Sequence, residues 1–323
     1  MNNLTPLIEL FRANQGNYVS GEQISQHFSL SRTAVWKKIN KLKQLGFTFE
    51  ASPRLGYRLL SEPSVLDIDR IQAQLKTSRI GRGITYLEQT DSTQNIARQL
   101  SASGIPEGHI CIAETQTAGR GRMGRAWHSP QGKGLWYSMV LRPTIPLRAM
   151  SHLTLLTAVV LCETIREKTN LPVGIKWPND LLLDGKKVSG ILLETIAEDD
   201  RVQSVICGIG ISVNLGVDEY PDDLKAIAQS LAMAGGQAYD REALLVAFCE
   251  KFEQTYELYL AEGFDPIRAR WEAQSVTLNK QIEVQQVNRT IAGLAVGIDE
   301  QGALLVHTSD GEVVRCYSGD VRL

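Results

Sequence analysis

Apolar positions in the first sixty residues recur at helical spacing in three short blocks. Leu4, Leu7, Ile8 and Phe11 mark the first, and Asn14-Gln15-Gly16-Asn17 stops it. Ser20 can cap a second helix, Gly21 to Phe28, whose apolar side is Ile24 and Phe28. After a Ser29-Leu30 turn, Ser31 can cap a third, running from Arg32 to about Leu45 with Val35, Ile39 and Leu42 as its inward stripe. Gly46 ends that helix, and Phe47–Glu50 with Gly56–Leu60 reads as a hairpin around Ser52-Pro53-Arg54. Three helices and a hairpin predict a winged helix-turn-helix over residues 1–62, with Ser61-Glu62-Pro63-Ser64 as a linker.

The pattern then changes twice. Over 63–272, short apolar runs read as strands: Thr85–Leu87, Ile110–Glu114, Leu135–Leu141, Val173–Trp177, Val188–Glu194 and Val202–Leu215. They mix with helices expected at Ser92–Leu100, Ser151–Lys168 and Arg241–Glu262, the last bracketed by Asp240 as cap and Gly263 as stop. Strict strand–helix alternation is missing, so a mixed sheet with helices on one side is expected. From 273 to 323 strand-like pieces (Ile282–Val287, Thr290–Ile298, Ala303–Thr308, Glu312–Cys316) alternate with turns, as in a small SH3-like barrel. The predicted class is α+β, in three domains.

Charge sharpens this division. Net charge is −2, yet residues 1–60 carry eight Lys/Arg against three Glu, leaving −7 for the rest. A basic head on an acidic body places contact with a polyanion in the head. In the third helix Arg32, Thr33, Trp36 and Lys37 point outward toward base edges, while Lys41, Arg54 and Arg58 suit phosphates. Trp36 is equally compatible with packing on a neighbouring domain. No apolar run reaches the ~20 residues of a membrane span, and the N-terminus lacks a secretory signal. Five scattered cysteines without CxxC spacing fit a reducing cytoplasm and no zinc site.

Several segments of the body are too polar or too bare for packing alone. Ser92, Thr93 and Gln94 stand where a strand hands over to a helix; the Ser92 and Thr93 hydroxyls either cap that helix or meet a neutral polar ligand. Glu114 to Trp127 includes Gln116 and interleaves Gly119, Gly121 and Gly124 with Arg120, Arg122 and Arg125. Such a stretch predicts a mobile loop whose backbone approaches a ligand and whose guanidiniums suit phosphate. It lacks the Lys-Ser/Thr of a Walker loop, and its acidic surroundings favour a phosphorylated small molecule over nucleic acid. Lys176-Trp177-Pro178-Asn179-Asp180 closes a strand and serves either a turn or a site. After the Asp184-Gly185 turn, alternation puts Lys187, Ser189 and Ile191 on one face, where the lysine needs an anionic partner. Gly208 and Gly210 leave one strand face bare, for a flat ligand or a tightly packed helix.

In order, Asp-Ser-Thr, Gln-Thr-Ala-Gly-Arg-Gly-Arg, Lys-Trp-Pro-Asn-Asp, Lys-Val-Ser-Gly-Ile-Leu and Gly-Ile-Gly-Ile resemble the biotin–protein ligase family. With the N-terminal module, the resemblance extends over essentially the whole chain to its bifunctional members, which also repress the biotin operon. It implies that biotin and ATP, with Mg²⁺, give biotinyl-5′-adenylate, and that biotin then passes to a lysine of biotin carboxyl carrier protein. It further implies a homodimer that, with adenylate bound, occupies operator DNA. Carried over residue by residue, biotin is bound by Ser92, Thr93, Gln94, Gln116, Arg120, Gly121, Arg122, Trp127, Lys187, Gly190, Gly208 and Gly210. The nucleotide falls to Arg120, Arg122, Lys176, Asn179, Asp180 and Lys187, with Asp180 as a metal ligand. Lys187, Arg122 and Arg120 are the expected catalytic cations.

The chemistry accounts for these residue types. A carboxylate must meet an anionic phosphorus, and fixed cations stabilise that crowding of charge. Met123 and Ser212 depart from the family pattern, which more often has arginine and asparagine there. The arginine that often follows Leu323 in relatives is not in the sequence, leaving Arg322 as its candidate substitute.

Overall fold

A computed structural model describes residues 4–14, 16–44, 47–61, 65–198 and 201–323. The helix end expected at Leu45-Gly46, Gln15 and the linker at 62–64 lie outside those residues. Chain contacts divide into two units, Met1–Val65 and Leu66–Leu323.

The first unit holds α1 (Thr5–Ala13), α2 (Gly21–Phe28), α3 (Arg32–Gln44), β1 (Thr48–Ser52) and β2 (Gly56–Ser61). Ser20 accepts from the Gln23 amide while Gln23 reaches back to Ser20, a reciprocal cap worth ~1 kcal/mol. Ser31 Oγ accepts from Ala34 N at 3.2 Å and starts α3 in the same manner. Leu7, Phe11, Ile24, Val35, Ile39, Leu42 and Phe49 close one core. Val19 pairs with Tyr57 through two backbone bonds of 2.8 and 3.0 Å, so the hairpin is sewn to the segment before α2.

The second unit opens with α4 (Ile68–Gln74), β3 (Ile84–Thr90), α5 (Thr93–Ala102), β4 (Ile110–Gln116), β5 (Gly134–Leu141) and α6 (Met150–Thr169). It continues through β6 (Gly174–Lys176), β7 (Asp180–Leu183), β8 (Lys186–Glu198), β9 (Arg201–Ser212), α7 (Leu231–Gly235), α8 (Arg241–Glu262) and α9 (Asp265–Gln274). Their strands form one sheet, ordered β3-β4-β5-β9-β8-β7-β6, parallel only between β3 and β4. Period-two alternation along β9 explains both faces. Val205, Cys207, Ile209 and Ile211 join the large core with α6 and α8, whereas Ile206 packs with Ala97 of α5 on the other face. Helices therefore cover both faces, not one as expected, because α5 shields the apolar part of the second face. By length and composition Leu147–Thr169 could cross a membrane, yet 67% of its apolar 18-residue window is buried.

The tail adds β10 (Gln281–Gln285), β11 (Thr290–Ile298), β12 (Leu304–His307), β13 (Val313–Cys316) and β14 (Asp320–Arg322). They make an antiparallel sheet ordered β13-β12-β11-β10-β14. Three consecutive carbonyls of its β11–β12 turn are clamped by the body. Glu300 O accepts from His152 Nε2 (2.9 Å), Gln301 O from Ser151 Oγ (2.5 Å) and Gly302 O from Trp177 Nε1 (3.2 Å). Trp177 thus anchors the tail while its neighbours in Lys176–Asp180 remain free to face a cavity. Burial pushes the His152 pKa down, and its Nδ1 can accept from Tyr259 OH at 3.0 Å.

Candidate functional site

A cavity of about 460 Å³ opens on the α5 face where the sheet carries glycine instead of apolar side chains. Its neutral end is built at the start of α5. Ser92 is extended there (φ −158°, ψ 133°), and its hydroxyl does not cap the helix. Ser92 Oγ is instead buried without a partner. The hydroxyl is thus left available for a ligand. Thr93 donates to Gln116 Oε1 from its amide (2.9 Å) and its hydroxyl (3.1 Å), and Gln116 Nε2 donates to Ser129 Oγ (2.9 Å). Gln116 lines the cavity as expected, but as a brace whose oxygen is already engaged. Gln94 donates from Nε2 to Leu192 O (3.4 Å) and Glu194 Oε2 (3.1 Å), which turns its own oxygen inward.

The glycines have a definite use. A Cβ at Gly208 would lie 2.7 Å from Gln94 Oε1, and one at Gly210 would lie 2.4 Å from the Trp127 indole. At Gly190 it would meet Trp127 at 2.8 Å and Lys187 Cε at 3.0 Å. The side chains of Gln94, from α5, and Trp127 lie over this floor.

Residues 117–128 supply the cationic end, folded back as a narrow hairpin rather than an open loop. Trp127 N donates to Gly119 O (2.8 Å) and Gly121 N to Arg125 O (2.7 Å), around a turn with Met123 at φ 57°. Arg120 Nη2 donates to Asn95 Oδ1 (2.7 Å) and Arg122 Nη1 to Asn179 Oδ1 (2.9 Å), while Arg125 pairs with Asp320 of β14. Burial lowers the Arg122 pKa, with Asp320 and Asp180 opposing it. Lys187 Nζ lies 2.7 Å from Asp180 Oδ1 and 5.0 Å from the Trp127 ring centroid, so the anionic partner expected for it is present. Lys176 also lines the cavity, and its pKa is lowered mainly by burial.

Two expectations about strands need correction. The β7–β8 register shifts where Leu181 faces Ser189 and Leu182 faces Lys187, leaving Val188 as an extra residue. Such a bulge reverses the alternation. Lys187 consequently shares the cavity face with Gly190, and Ile191 joins the core instead of standing beside the lysine. Arg322 is exposed and outside the cavity lining; Asp320 is the tail residue that reaches it.

Every expected site residue of the body thus meets at one cavity: Ser92, Thr93, Gln94, Gln116, Arg120, Gly121, Arg122, Trp127, Lys176, Asn179, Asp180, Lys187, Gly190, Gly208 and Gly210. Arg125 of the same loop lines it too, while Ser138, Tyr220 and Asp320, and Asn95 that holds Arg120, were missed. Asn95 adjoins the Asp-Ser-Thr-Gln run and could have been included; Asp320 has no local signal. In the first unit Arg32, Thr33, Trp36, Lys37, Lys41 and Arg54 are exposed, Trp36 at 55%. Arg58 is engaged differently, paired with Glu50 and lying 5.0 Å over the Tyr18 ring.

Comparison with known proteins fits this layout. Residues 86–212 match the model of the biotin/lipoate A/B protein ligase family, 4–58 an HTH domain and 277–323 the biotin protein ligase C terminal domain. The chain is 44% identical over 317 residues to the bifunctional ligase/repressor BirA of Bacillus subtilis, covering 98% of this chain and 97% of that protein. The chain belongs to the biotin protein ligase family. Identity to the bifunctional ligase/repressor BirA of Escherichia coli is 31% over 321 residues, 99% of this chain and 98% of that one. A biotin protein ligase from Aquifex aeolicus, solved in complex with biotin and ATP, superposes with a TM-score of 0.66 at 30% identity. It covers 75% of this chain and 98% of its own length. The family therefore accounts for the mixed sheet with its antiparallel tail, and the bifunctional relatives match over the helix-turn-helix as well.

Proposed function

We propose that the chain is an ATP-dependent biotin–protein ligase that also represses the biotin operon. One observation carries the reading: a single cavity joins a neutral end with unpartnered Ser92 and Gln94 oxygens to a cationic end with Arg120, Arg122, Lys176 and Lys187. Biotin has the same polarity, an uncharged ureido ring at one end and a carboxylate at the other.

In the first step a biotin carboxylate oxygen attacks the α-phosphorus of ATP, the bond to pyrophosphate breaks, and biotinyl-5′-adenylate forms. Lys187 holds the carboxylate against the phosphate as a point charge, and Arg120 and Arg122 take phosphate oxygens in bidentate fashion. Trp127 covers the reacting centre from the glycine floor and keeps water from the mixed anhydride. Lys176, Asn179 and Asp180 serve the nucleotide. In the second step the neutral ε-amine of a carrier-protein lysine attacks the anhydride carbonyl and AMP leaves. Mg²⁺ fits Asp180 only as one ligand among phosphate oxygens, since no cluster of three acidic, His or Cys residues occurs among the described residues. Bound there, it would neutralise phosphate charge.

Residues 1–62 serve as the operator-binding domain, 63–272 as the ligase body and 273–323 as a terminal domain that steadies it. Arg32, Thr33, Trp36 and Lys37 face the major groove, with Lys41 and Arg54 on phosphates. Arg58 keeps its place among the DNA contacts by exchanging Glu50 for a phosphate. Two operator half-sites require a homodimer, which the adenylate promotes as corepressor. Incubation with biotin, ATP and Mg²⁺ should release pyrophosphate and label a biotin carboxyl carrier domain. Operator binding should tighten when adenylate is present. Absence of pyrophosphate release overturns the ligase assignment; operator affinity unchanged by deleting residues 1–62 overturns the repressor assignment.

A further inference from the structure

The orientation of Gln94 is not its own. Gln94 and Arg98 stand one turn apart on α5, and both reach a single oxygen of Glu194 on β8, at 3.1 Å from Gln94 Nε2 and 2.9 Å from Arg98 Nη2. The Gln94 amide nitrogen also donates to Leu192 O at 3.4 Å. Both neighbours of that nitrogen only accept, so the amide cannot turn over without setting oxygen against oxygen. Its Oε1 is consequently held over Gly208, buried, with no donor in reach. An acceptor buried in this way costs free energy until a donor arrives.

We propose that Glu194, without touching ligand, is a positioning residue that sets specificity for a ring bearing N–H groups. It does so by holding the Gln94 carbonyl toward the cavity, with Arg98 steadying the carboxylate. A ureido nitrogen satisfies the waiting acceptor; a dithiolane ring of similar size brings no donor and leaves it unpaired. This inference rests on the reading of the neutral end as the biotin ring site.

The test is a double-mutant cycle on the full-length chain, reading KM for biotin, KM for ATP and kcat of adenylate formation. Gln94→Met removes the acceptor at nearly constant volume and should raise KM for biotin about three- to tenfold, the cost of one hydrogen bond, with KM for ATP unchanged. Glu194→Leu should raise KM for biotin to a similar extent, and the double variant should be no worse than Gln94→Met alone. Glu194→Gln can still offer its carbonyl to Gln94 and should restore the wild-type value. If Gln94→Met leaves KM for biotin unchanged, the ring-site reading falls and this inference falls with it. If Gln94→Met acts but Glu194→Leu is silent, additive to it, or not rescued by glutamine, Glu194 has no positioning role and only this inference is overturned. Thermal midpoints of the ligand-free variants separate an effect on binding from one on folding.

Discussion

The two ends of the cavity solve opposite problems. At the neutral end, polar atoms are buried and left waiting: Ser92 Oγ and Gln94 Oε1 have no partner in the protein. At the cationic end most of the cations are taken, although the buried Trp127 Nε1 there also has no partner. Arg120 is taken by Asn95, Arg122 by Asn179, Arg125 by Asp320 and Lys187 by Asp180. Physics separates the two cases. An unpaired neutral oxygen costs a tolerable amount, whereas unpaired charges crowded at one low-dielectric end cost far more. A ligand therefore fills vacancies at one end and must exchange partners at the other. This predicts different signatures for substitutions at the two ends.

The largest effect belongs to Lys187. Lys187→Ala should lower the rate of adenylate formation at saturating biotin by about 10²- to 10³-fold, as for loss of a preorganised electrostatic contact. It also strips Asp180 of its partner, so the ligand-free chain should melt earlier. Adding Asp180→Asn should restore the melting temperature without restoring the rate. Recovery of both would reduce Lys187 to a structural ion-pair partner.

The neutral end should show the reverse. Ser92→Ala removes a hydroxyl that satisfies nothing, so the ligand-free chain should melt no earlier than wild type. Biotin should nevertheless bind about three- to tenfold more weakly. A clear loss of stability with unchanged biotin affinity would mean that the hydroxyl has a partner in the free protein, and the contrast between the ends would collapse.

Why this contrast could not be read in the chain follows from what each signal depends on. Local signals held. Asp240 and Gly263 bracket α8 where expected, and Asp240 Oδ1 accepts from Glu242 N and Ala243 N. The Ser20 cap and the α3 stripe depend on neighbours three or four residues away and were legible for the same reason. The α9 helix was missed because Gly263 reads as a stop and only Ile267 and Trp271 of its ten residues are buried, too few for a periodic signal. β7 is four residues long and hides between two turn-like segments. The bulge at Val188 leaves no mark in composition, yet it decides which way Lys187 points. Candidate residue types were visible; their pairings were not. Arg125 and Asp320 are 195 residues apart, and Gln94 and Glu194 are 100 apart.

A smaller effect is expected where the tail meets the loop. Arg125 and Asp320 form a pair whose side chains are 63% and 32% exposed, so its net worth is modest. Asp320→Asn should free Arg125 and change KM for ATP by no more than about two- to fivefold, with KM for biotin unmoved. A change confined to biotin would place Asp320 at the wrong end of the cavity.

Lys176 offers the finest test, because it is a cation at the paired end with no hydrogen bond or ion pair among the described residues. Burial lowers its pKa from the ordinary 10.5, while Asp180 pulls it back up. The unfolded chain thus binds this proton more readily than the folded one, so below the ordinary lysine value the group works against folding. Its penalty fades as pH rises through the folded value, and stability gains accordingly. The same loss of proton removes a charge the nucleotide needs. Across one alkaline window the ligand-free chain should gain stability relative to Lys176→Met while its KM for ATP rises, and in Lys176→Met neither trend should appear. Parallel pH profiles in the two proteins would show that Lys176 is as fully paired as its neighbours and that the cationic end keeps no vacancy of its own.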